Sequence, residues 1–111
     1  LIDYDMLYGH RRDVTGFAAA LQHFDRWLEG FLPQLAADDL LLITADHGCD
    51  PTTPGTDHSR EYVPLLAWHP RLTAGVALGD RASFADVAAT LGEIFNVDSG
   101  CGNSFLSQLI A

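Results

Sequence analysis

The sequence predicts an α/β fold in which a mostly parallel sheet is flanked by helices. Apolar runs of strand length alternate with longer segments whose apolar residues recur at helical spacing. The run Leu40–Ala45 is apolar without alternation, which is typical of a strand that helices bury on both faces of a parallel sheet. Such sheets carry their chemistry beyond the carboxyl ends of the strands.

The N-terminal part predicts a strand followed by a long amphipathic helix. Leu1–Tyr4 fits the end of a strand, and Gly9 and His10 then fall in a loop. Asp13 is a suitable N-cap, and Gly30 and Pro33 weaken the last helical turns. We expect this helix to cover one face of the sheet through an apolar stripe formed by Val14, Phe17, Leu21, Phe24, Leu28 and Leu32.

The C-terminal part predicts a second strand and two further helices. Tyr62–Trp68 is a weaker strand that Pro64 assigns to an edge or a strand start. A polar turn region, Pro70–Arg81, precedes a helix capped by Ser83, and Phe105–Ile110 forms a short helical piece. No internal repeat, low-complexity tract or linker divides the chain, so we expect one domain. The helix after Ser83 has an apolar stripe formed by Phe84, Val87, Ala88, Leu91, Ile94 and Phe95.

Composition excludes several classes of partner. The formal net charge of −9 over 111 residues argues against nucleic acid and anionic membranes. No apolar run approaches the roughly 20 residues that span a bilayer. Cys49 and Cys101 are far apart without a CxxC pair, which favours a reducing compartment, and we expect a cytoplasmic protein. The chain does not begin with Met, which suggests a fragment of a longer protein.

Five side chains near predicted strand ends suggest a metal site. Asp5 and Asp46 follow apolar runs, and His10, His47 and His58 lie beside them or in the connecting loops. Carboxylate oxygen and imidazole nitrogen are ligands that divalent cations use in proteins. A strand-end aspartate alone is often a turn cap, and a loop histidine is often solvated, but the joint pattern favours ligation. We expect a buried Asp46 that needs a neighbouring cation.

Other polar residues leave alternatives open. The sequence alone does not separate Asp3 from Asp5 as a ligand. Structural roles are expected for His23 and His69, and Gly48 is expected to permit a backbone turn. Cys49 is interpreted as a packing residue because the other candidate ligands are oxygen and nitrogen donors.

Three arginines flank the candidate ligands. Arg11, Arg12 and Arg60 could bind a phosphate group through two parallel hydrogen bonds. Salt bridges to Asp13 or Glu61 are an equally good interpretation of these guanidinium groups.

Two long motifs carry a specific resemblance. "DYDMLYGHRRD" (Asp3–Asp13) and "TADHGCDPTTPGTDHSREYVPLL" (Thr44–Leu66) resemble the C-terminal part of the phosphopentomutase family, within the alkaline phosphatase superfamily. The resemblance weakens after about Val97. "TADHG" alone is shared with cofactor-independent phosphoglycerate mutases, whereas the longer runs are typical of phosphopentomutases. Residues 1–111 would then be the C-terminal part of an alkaline-phosphatase-like metal-binding core domain.

The resemblance implies a centre of two divalent metals, usually Mn²⁺. Asp46 and His47 match ligands of the first metal, and Asp5, His10 and His58 match ligands of the second. The spacing of the family motif selects Asp5 over Asp3. The implied reaction moves a phosphoryl group between the C1 and C5 oxygens of ribose or deoxyribose, in nucleoside catabolism, through a phosphorylated threonine.

The resemblance also implies that part of the machinery is absent from these residues. The nucleophilic threonine, a further aspartate ligand and a sugar-binding cap domain match regions N-terminal to this chain, so no catalytic residue is assigned here. We therefore expect residues 1–111 alone to be inactive. Two alternatives are another enzyme of the superfamily, such as a phosphoglycerate mutase, and a metal-binding module without catalysis.

Overall fold

The computed structural model describes residues 1–72 and 74–110, which group into two compact units, Leu1–Pro70 and Arg71–Ala111. Each unit is described by itself. None of the helices in these two described ranges combines the length and the apolar character that crossing a bilayer requires.

The first unit begins with a helical turn, so the predicted strand at Leu1–Tyr4 is wrong. Residues Tyr4–Gly9 form a π-helical turn, in which the N–H of His10 donates to the carbonyl of Asp5 at 2.9 Å. The hydroxyl of Tyr4 donates to the carbonyl of Ala20 at 3.1 Å, which ties the turn to the helix that follows. An apolar run of four residues cannot distinguish a strand from a helical turn, because both elements accommodate it.

Helix α1, Val14–Phe31, confirms the predicted amphipathic helix and its cap. The carboxylate of Asp13 accepts the N–H of Gly16 at 2.9 Å, which satisfies one of the unpaired donors at the start of the helix. A short 3₁₀ turn, Leu32–Gln34, follows where Pro33 was expected to weaken the helix. The main contacts of α1 are with the π-helical turn and this 3₁₀ turn, so the expected cover over the sheet is not its principal role here.

Two strands form an antiparallel pair in place of the expected parallel sheet. Strand β1, Leu41–Thr44, pairs with β2, Leu65–Trp68, in a register that sets Leu41 opposite Trp68 and Thr44 opposite Leu65. No parallel pairing forms within residues 1–72 and 74–110. The chain between the strands returns directly and contains no helix, whereas a parallel neighbour usually needs a helical crossover. Pro64 immediately precedes β2, which confirms its assignment to a strand start.

The second unit contains the side chains that are most completely buried. Helix α2, Ala85–Phe95, and helix α3, Leu106–Leu109, confirm the predicted helices. Phe105 is fully buried, and Leu109 is buried in the same unit. The N-cap position of α2 is Phe84 rather than Ser83, but the Ser83 hydroxyl still accepts the N–H of Ala85 at 3.1 Å.

Polar groups hold α2 to the chain before α3. Asp86 is only 3% exposed and accepts hydrogen bonds from the side chain of Arg81 and from the N–H of Asn103, both at 2.8 Å. The fully buried hydroxyl of Thr90 donates to the carbonyl of Asp86 at 2.7 Å and accepts the N–H of Phe105 at 3.1 Å. These bonds satisfy groups whose burial would otherwise be costly.

Candidate metal centre

Three predicted ligands converge in the first unit. Ligand atoms of Asp5, His10 and His58 all lie within 4.8 Å of one another. The Oδ1 atom of Asp5 is 3.3 Å from Nε2 of His10 and 3.1 Å from Nε2 of His58. Among the described residues no second trio of such side chains converges in this way. The grouping includes Asp5 and leaves out Asp3, the residue that the sequence could not separate from it.

The π-helical turn brings two of these ligands together. Because the N–H of His10 bonds to the carbonyl of Asp5, residues five positions apart lie one turn above each other. After the turn, the N–H of Asp13 donates to the carbonyl of Tyr8 at 2.8 Å, and Arg12 adopts a left-handed conformation with φ 54°. The chain thereby reverses into α1, whose cap at Asp13 fixes the exit from the ligand-bearing turn.

The atoms of the cluster suit a cation. Oδ1 of Asp5 is buried and has no hydrogen-bond partner among the described residues. The ring Nδ1 of His10 bonds to the carbonyl of Thr56, and a carbonyl can only accept, so in the neutral ring the lone pair lies on Nε2. That lone pair and the Asp5 oxygen are both acceptors, and acceptors at 3.3 Å repel unless a proton or a cation lies between them. Imidazole nitrogen and carboxylate oxygen are ligands for divalent transition metals.

Local charges favour the positive form of His10. Its hydrogen bond to the Thr56 carbonyl raises the pKa of the imidazole, and the carboxylates of Asp5 and Asp57 raise it further. Desolvation lowers this pKa, but by less than the hydrogen bond raises it. A cation on Nε2 would compete with this proton, because only the neutral ring offers a lone pair to a metal.

Asp46 and His47 lie next to this cluster rather than in it. The ring of His47 stacks on the ring of His58, with centroids 3.5 Å apart and planes 12° apart. Oδ1 of Asp46 is 3.7 Å from Nε2 of His47, and the Asp46 side chain is 91% exposed. The expectation of a buried Asp46 is wrong, because β1 ends at Thr44 and the carboxylate follows beyond the strand. Asp46 is accessible to an additional ligand.

A close backbone approach brings His58 back to His47. Gly48 is buried and forms an isolated antiparallel bridge with Ser59, whose N–H donates to the Gly48 carbonyl at 3.3 Å. The Ser59 hydroxyl also accepts the N–H of Asp50 at 2.7 Å. A Cβ at position 48 would lie 2.5 Å from the Ser59 carbonyl oxygen, so glycine is needed here for close approach. Gly48 thus permits the close approach of two backbone segments, in addition to the turn that the sequence predicts.

Cys49 has the environment of a packing residue. Its Sγ lies against Gly9, where an added Cβ would overlap it. Burial raises the pKa of the Cys49 thiol, and the carboxylates of Asp5 and Asp50 raise it further, so the protonated form is favoured over a thiolate ligand. Cys49 and Cys101 are both free thiols.

The three flanking arginines are exposed. Arg11, Arg12 and Arg60 form no ion pair with Asp13, Glu61 or another carboxylate of residues 1–72 and 74–110. The alternative of local salt bridges is therefore not realised, and these guanidinium groups are accessible to an anion.

Sequence reasoning missed the carbonyl that orients His10. Thr56 contacts the site through its backbone rather than its side chain, so its residue type does not reveal the contact. A signal was present in Gly55, because a glycine before a contact residue often marks an unusual backbone angle; its φ is 105°.

Comparisons with known proteins give a consistent result. Residues 1–99 match the family model described as the metalloenzyme superfamily. The phosphopentomutase of Syntrophotalea carbinolica is 58% identical over 110 residues, which cover 99% of this chain and 28% of that protein. The phosphopentomutase of Caldanaerobacter subterraneus subsp. tengcongensis is 60% identical over 110 residues, and that of Carboxydothermus hydrogenoformans is 56% identical over 109 residues. Each of these two alignments covers 98% of this chain and 28% of the relative.

The chain thus spans about 28% of the length of the curated relatives that it matches. The family match includes the π-helical turn with Asp5 and His10, and the segment that carries Asp46, His47 and His58. On this match, and with a cluster of ligand atoms suited to a cation, the chain belongs to the metalloenzyme superfamily.

Proposed function

We propose that this chain is the C-terminal, metal-binding part of a phosphopentomutase that interconverts (deoxy)ribose 1-phosphate and (deoxy)ribose 5-phosphate. The observation that carries the proposal is the cluster of Asp5, His10 and His58 around a buried carboxylate oxygen without a hydrogen-bond partner. Relatives that are 56–60% identical over nearly the whole chain are phosphopentomutases, which supports the same reaction for the protein that contains these residues.

We assign the ligands to two divalent cations, with Mn²⁺ as the expected metal. Asp5, His10 and His58 would hold one cation, and Asp46 and His47 would contribute to the other. Two such cations, when bound, supply charge neutralisation at both the attacking and the leaving oxygen of a phosphoryl transfer. The stack of His47 on His58 supports a shared centre, because it holds a ligand of each group side by side.

The flanking arginines would attract the pentose phosphate. Arg11, Arg12 and Arg60 are exposed and form no ion pair with the residues that the structure describes, so they provide positive charge close in sequence to the ligands of a chain whose net charge is −9. Guanidinium groups bind phosphate oxygens through parallel hydrogen bonds and raise the local concentration of an anionic substrate. The nucleophilic threonine and the sugar-binding cap would come from the part of the relatives' length that this chain does not span.

The remaining features of the proposal follow the same assignment. We propose that β1 belongs to the mostly parallel sheet of an alkaline-phosphatase-like core, with a parallel neighbour outside this chain. We propose a cytoplasmic enzyme of nucleoside catabolism, because its substrate would be a pentose phosphate.

The test uses the full-length protein encoded by the gene that contains this sequence. We expect bound metal after purification and turnover of ribose 5-phosphate with Mn²⁺. His58→Ala should lose one of the two metals. Its activity should fall by more than the about 10- to 100-fold that the loss of an outer-shell partner costs. His23→Ala, which removes an exposed imidazole from α1, is the matched control and should retain both metals and the activity. Normal metal content in His58→Ala would remove His58 from the site, and wild-type protein without turnover would refute the activity.

A further inference from the structure

The orientation of His10 depends on the loop between the strands. Its Nδ1 donates to the carbonyl of Thr56, which lies 46 positions along the chain. This bond leaves Nε2 as the acceptor nitrogen, and Nε2 is the atom that faces Oδ1 of Asp5 at 3.3 Å. The Thr56 carbonyl therefore determines which nitrogen of His10 is presented to the cluster.

The residue before Thr56 has a backbone angle that favours glycine. The φ angle of Gly55 is 105°, where side chains are strained. A Cβ at Gly55 would meet no heavy atom within 4 Å, so space does not explain the glycine. The requirement lies in the backbone, which sets the direction in which the chain enters Thr56.

We propose that Gly55 is a positioning residue of the metal centre, whose left-handed backbone brings the Thr56 carbonyl onto His10 and so presents Nε2 of His10 to the cation. This inference rests on the proposed metal-binding function. Hydrogen bonds from the second ring nitrogen of a histidine ligand fix its tautomer and orientation, and their loss weakens metal affinity by about 10- to 100-fold. Gly55 would act through Thr56 and His10 and would not touch the metal.

The test compares glycine substitutions in the full-length protein by calorimetric titration with Mn²⁺. Gly55→Ala should weaken one of two binding events by about 10- to 100-fold. Gly55→Asn should retain more affinity, because asparagine enters positive φ more readily than alanine. Gly79→Ala is the matched control, since Gly79 also has a positive φ of 68° and open space for a Cβ, and it should bind Mn²⁺ as the wild type does.

A second measurement separates positioning from general destabilisation. ¹⁵N chemical shifts of histidine-labelled, metal-free protein, at an alkaline pH where the imidazoles are neutral, should show His10 with its proton on Nδ1 in the wild type. Gly55→Ala should show a mixture of tautomers, and Gly79→Ala should not. If Gly55→Ala does not fold, Gly55→Asn is judged by the same two readouts.

Two outcomes overturn the inference. One is Mn²⁺ affinity in the Gly55 variants equal to that of the wild type, and the other is an equal loss in Gly79→Ala. Wild-type protein that binds no Mn²⁺ would overturn both this inference and the metal-binding function. Wild-type protein that binds Mn²⁺ but lacks mutase turnover would refute only the proposed activity, and the weaker binding expected of Gly55→Ala would still support the positioning role.

Discussion

Replacement of Gly48 by alanine should weaken metal binding although it alters no ligand. A Cβ at this buried position would lie 2.5 Å from the carbonyl oxygen of Ser59, and 2.7 and 2.8 Å from the N and O atoms of Glu61. All three neighbours are backbone atoms, so rotation of a side chain cannot relieve the contacts. The segment 59–61 would have to move away from the end of β1, and His58 directly precedes it.

The size of the effect follows from these distances. Ordinary contact begins at 3.4 Å, so contacts of 2.5–2.8 Å require a separation of about 0.6 to 0.9 Å. Metal–ligand distances in valid sites lie within about 0.2 Å of their usual values, so a shift of this size would take His58 out of ligating geometry. Overpacking of this kind costs about 1–3 kcal/mol. The metal-free chain can relax, but metal binding would draw His58 back, so the cost falls on affinity as a loss of about 5- to 140-fold.

The assay is calorimetric titration of the full-length protein with Mn²⁺, together with thermal unfolding of the metal-free form. Gly30→Ala is the control, because Gly30 lies in α1 and a Cβ there meets nothing within 4 Å. It should bind metal normally and be slightly more stable, by about 0.5–1 kcal/mol, as expected for alanine in a helix. Wild-type Mn²⁺ affinity in Gly48→Ala would refute the argument that close approach positions His58, whatever the stability of the metal-free form.

Three further predictions concern the second unit and the chain alone. Thr90→Val should destabilise the second unit by about 1–3 kcal/mol, because the buried N–H of Phe105 loses its acceptor. Amide exchange at Phe105 should then be faster in Thr90→Val but not in Thr90→Ser, which keeps the hydroxyl. The hydrogen bond from Asn103, and then the contact with Arg81, lower the pKa of Asp86, so its stabilising contribution is complete above the ordinary value of 3.8 and is lost as the pH falls from there through the lowered pKa. Amide protection in α2, corrected for intrinsic exchange, should fall in acid in the wild type. The same acid sensitivity in Asp86→Asn would contradict the assignment of this effect to Asp86. Residues 1–111 produced alone with Mn²⁺ should show no turnover of ribose 5-phosphate, and a metal-dependent rate that survives purification would contradict this.

Elements encoded by neighbouring residues could be predicted from the sequence. Helix α1 begins after Asp13 and ends before Pro33 because a cap and a missing N–H act within one turn of the residue that supplies them. The start of β2 after Pro64 has the same local origin. Such signals need no knowledge of the rest of the fold.

Features that depend on distant partners were not accessible in this way. The π-helical turn at Tyr4–Gly9 is held by a bond from Tyr4 to Ala20 and by the reversal into α1, which four apolar residues do not reveal. The antiparallel pairing of β1 depends on the returning chain and its bridge at Gly48. The position of the strand was correctly predicted, but its residues are half-buried or exposed, and its apolar run carries no information on the direction of its neighbour.

The same distinction between local and distant signals applies to the candidate site. The chemical type of a ligand is written in its own residue, so His10 and His58 could be named from the sequence, while the choice of Asp5 over Asp3 needed the family motif and the mutual distances were not accessible. Those distances depend on contacts made by backbone, namely the Thr56 carbonyl on His10 and the approach of Ser59 to Gly48. In these contacts Thr56 and Ser59 use their backbone atoms and not their side chains. Substitutions at Gly48 and Gly55 therefore test the geometry of the centre separately from its ligands, which substitution of a histidine cannot do.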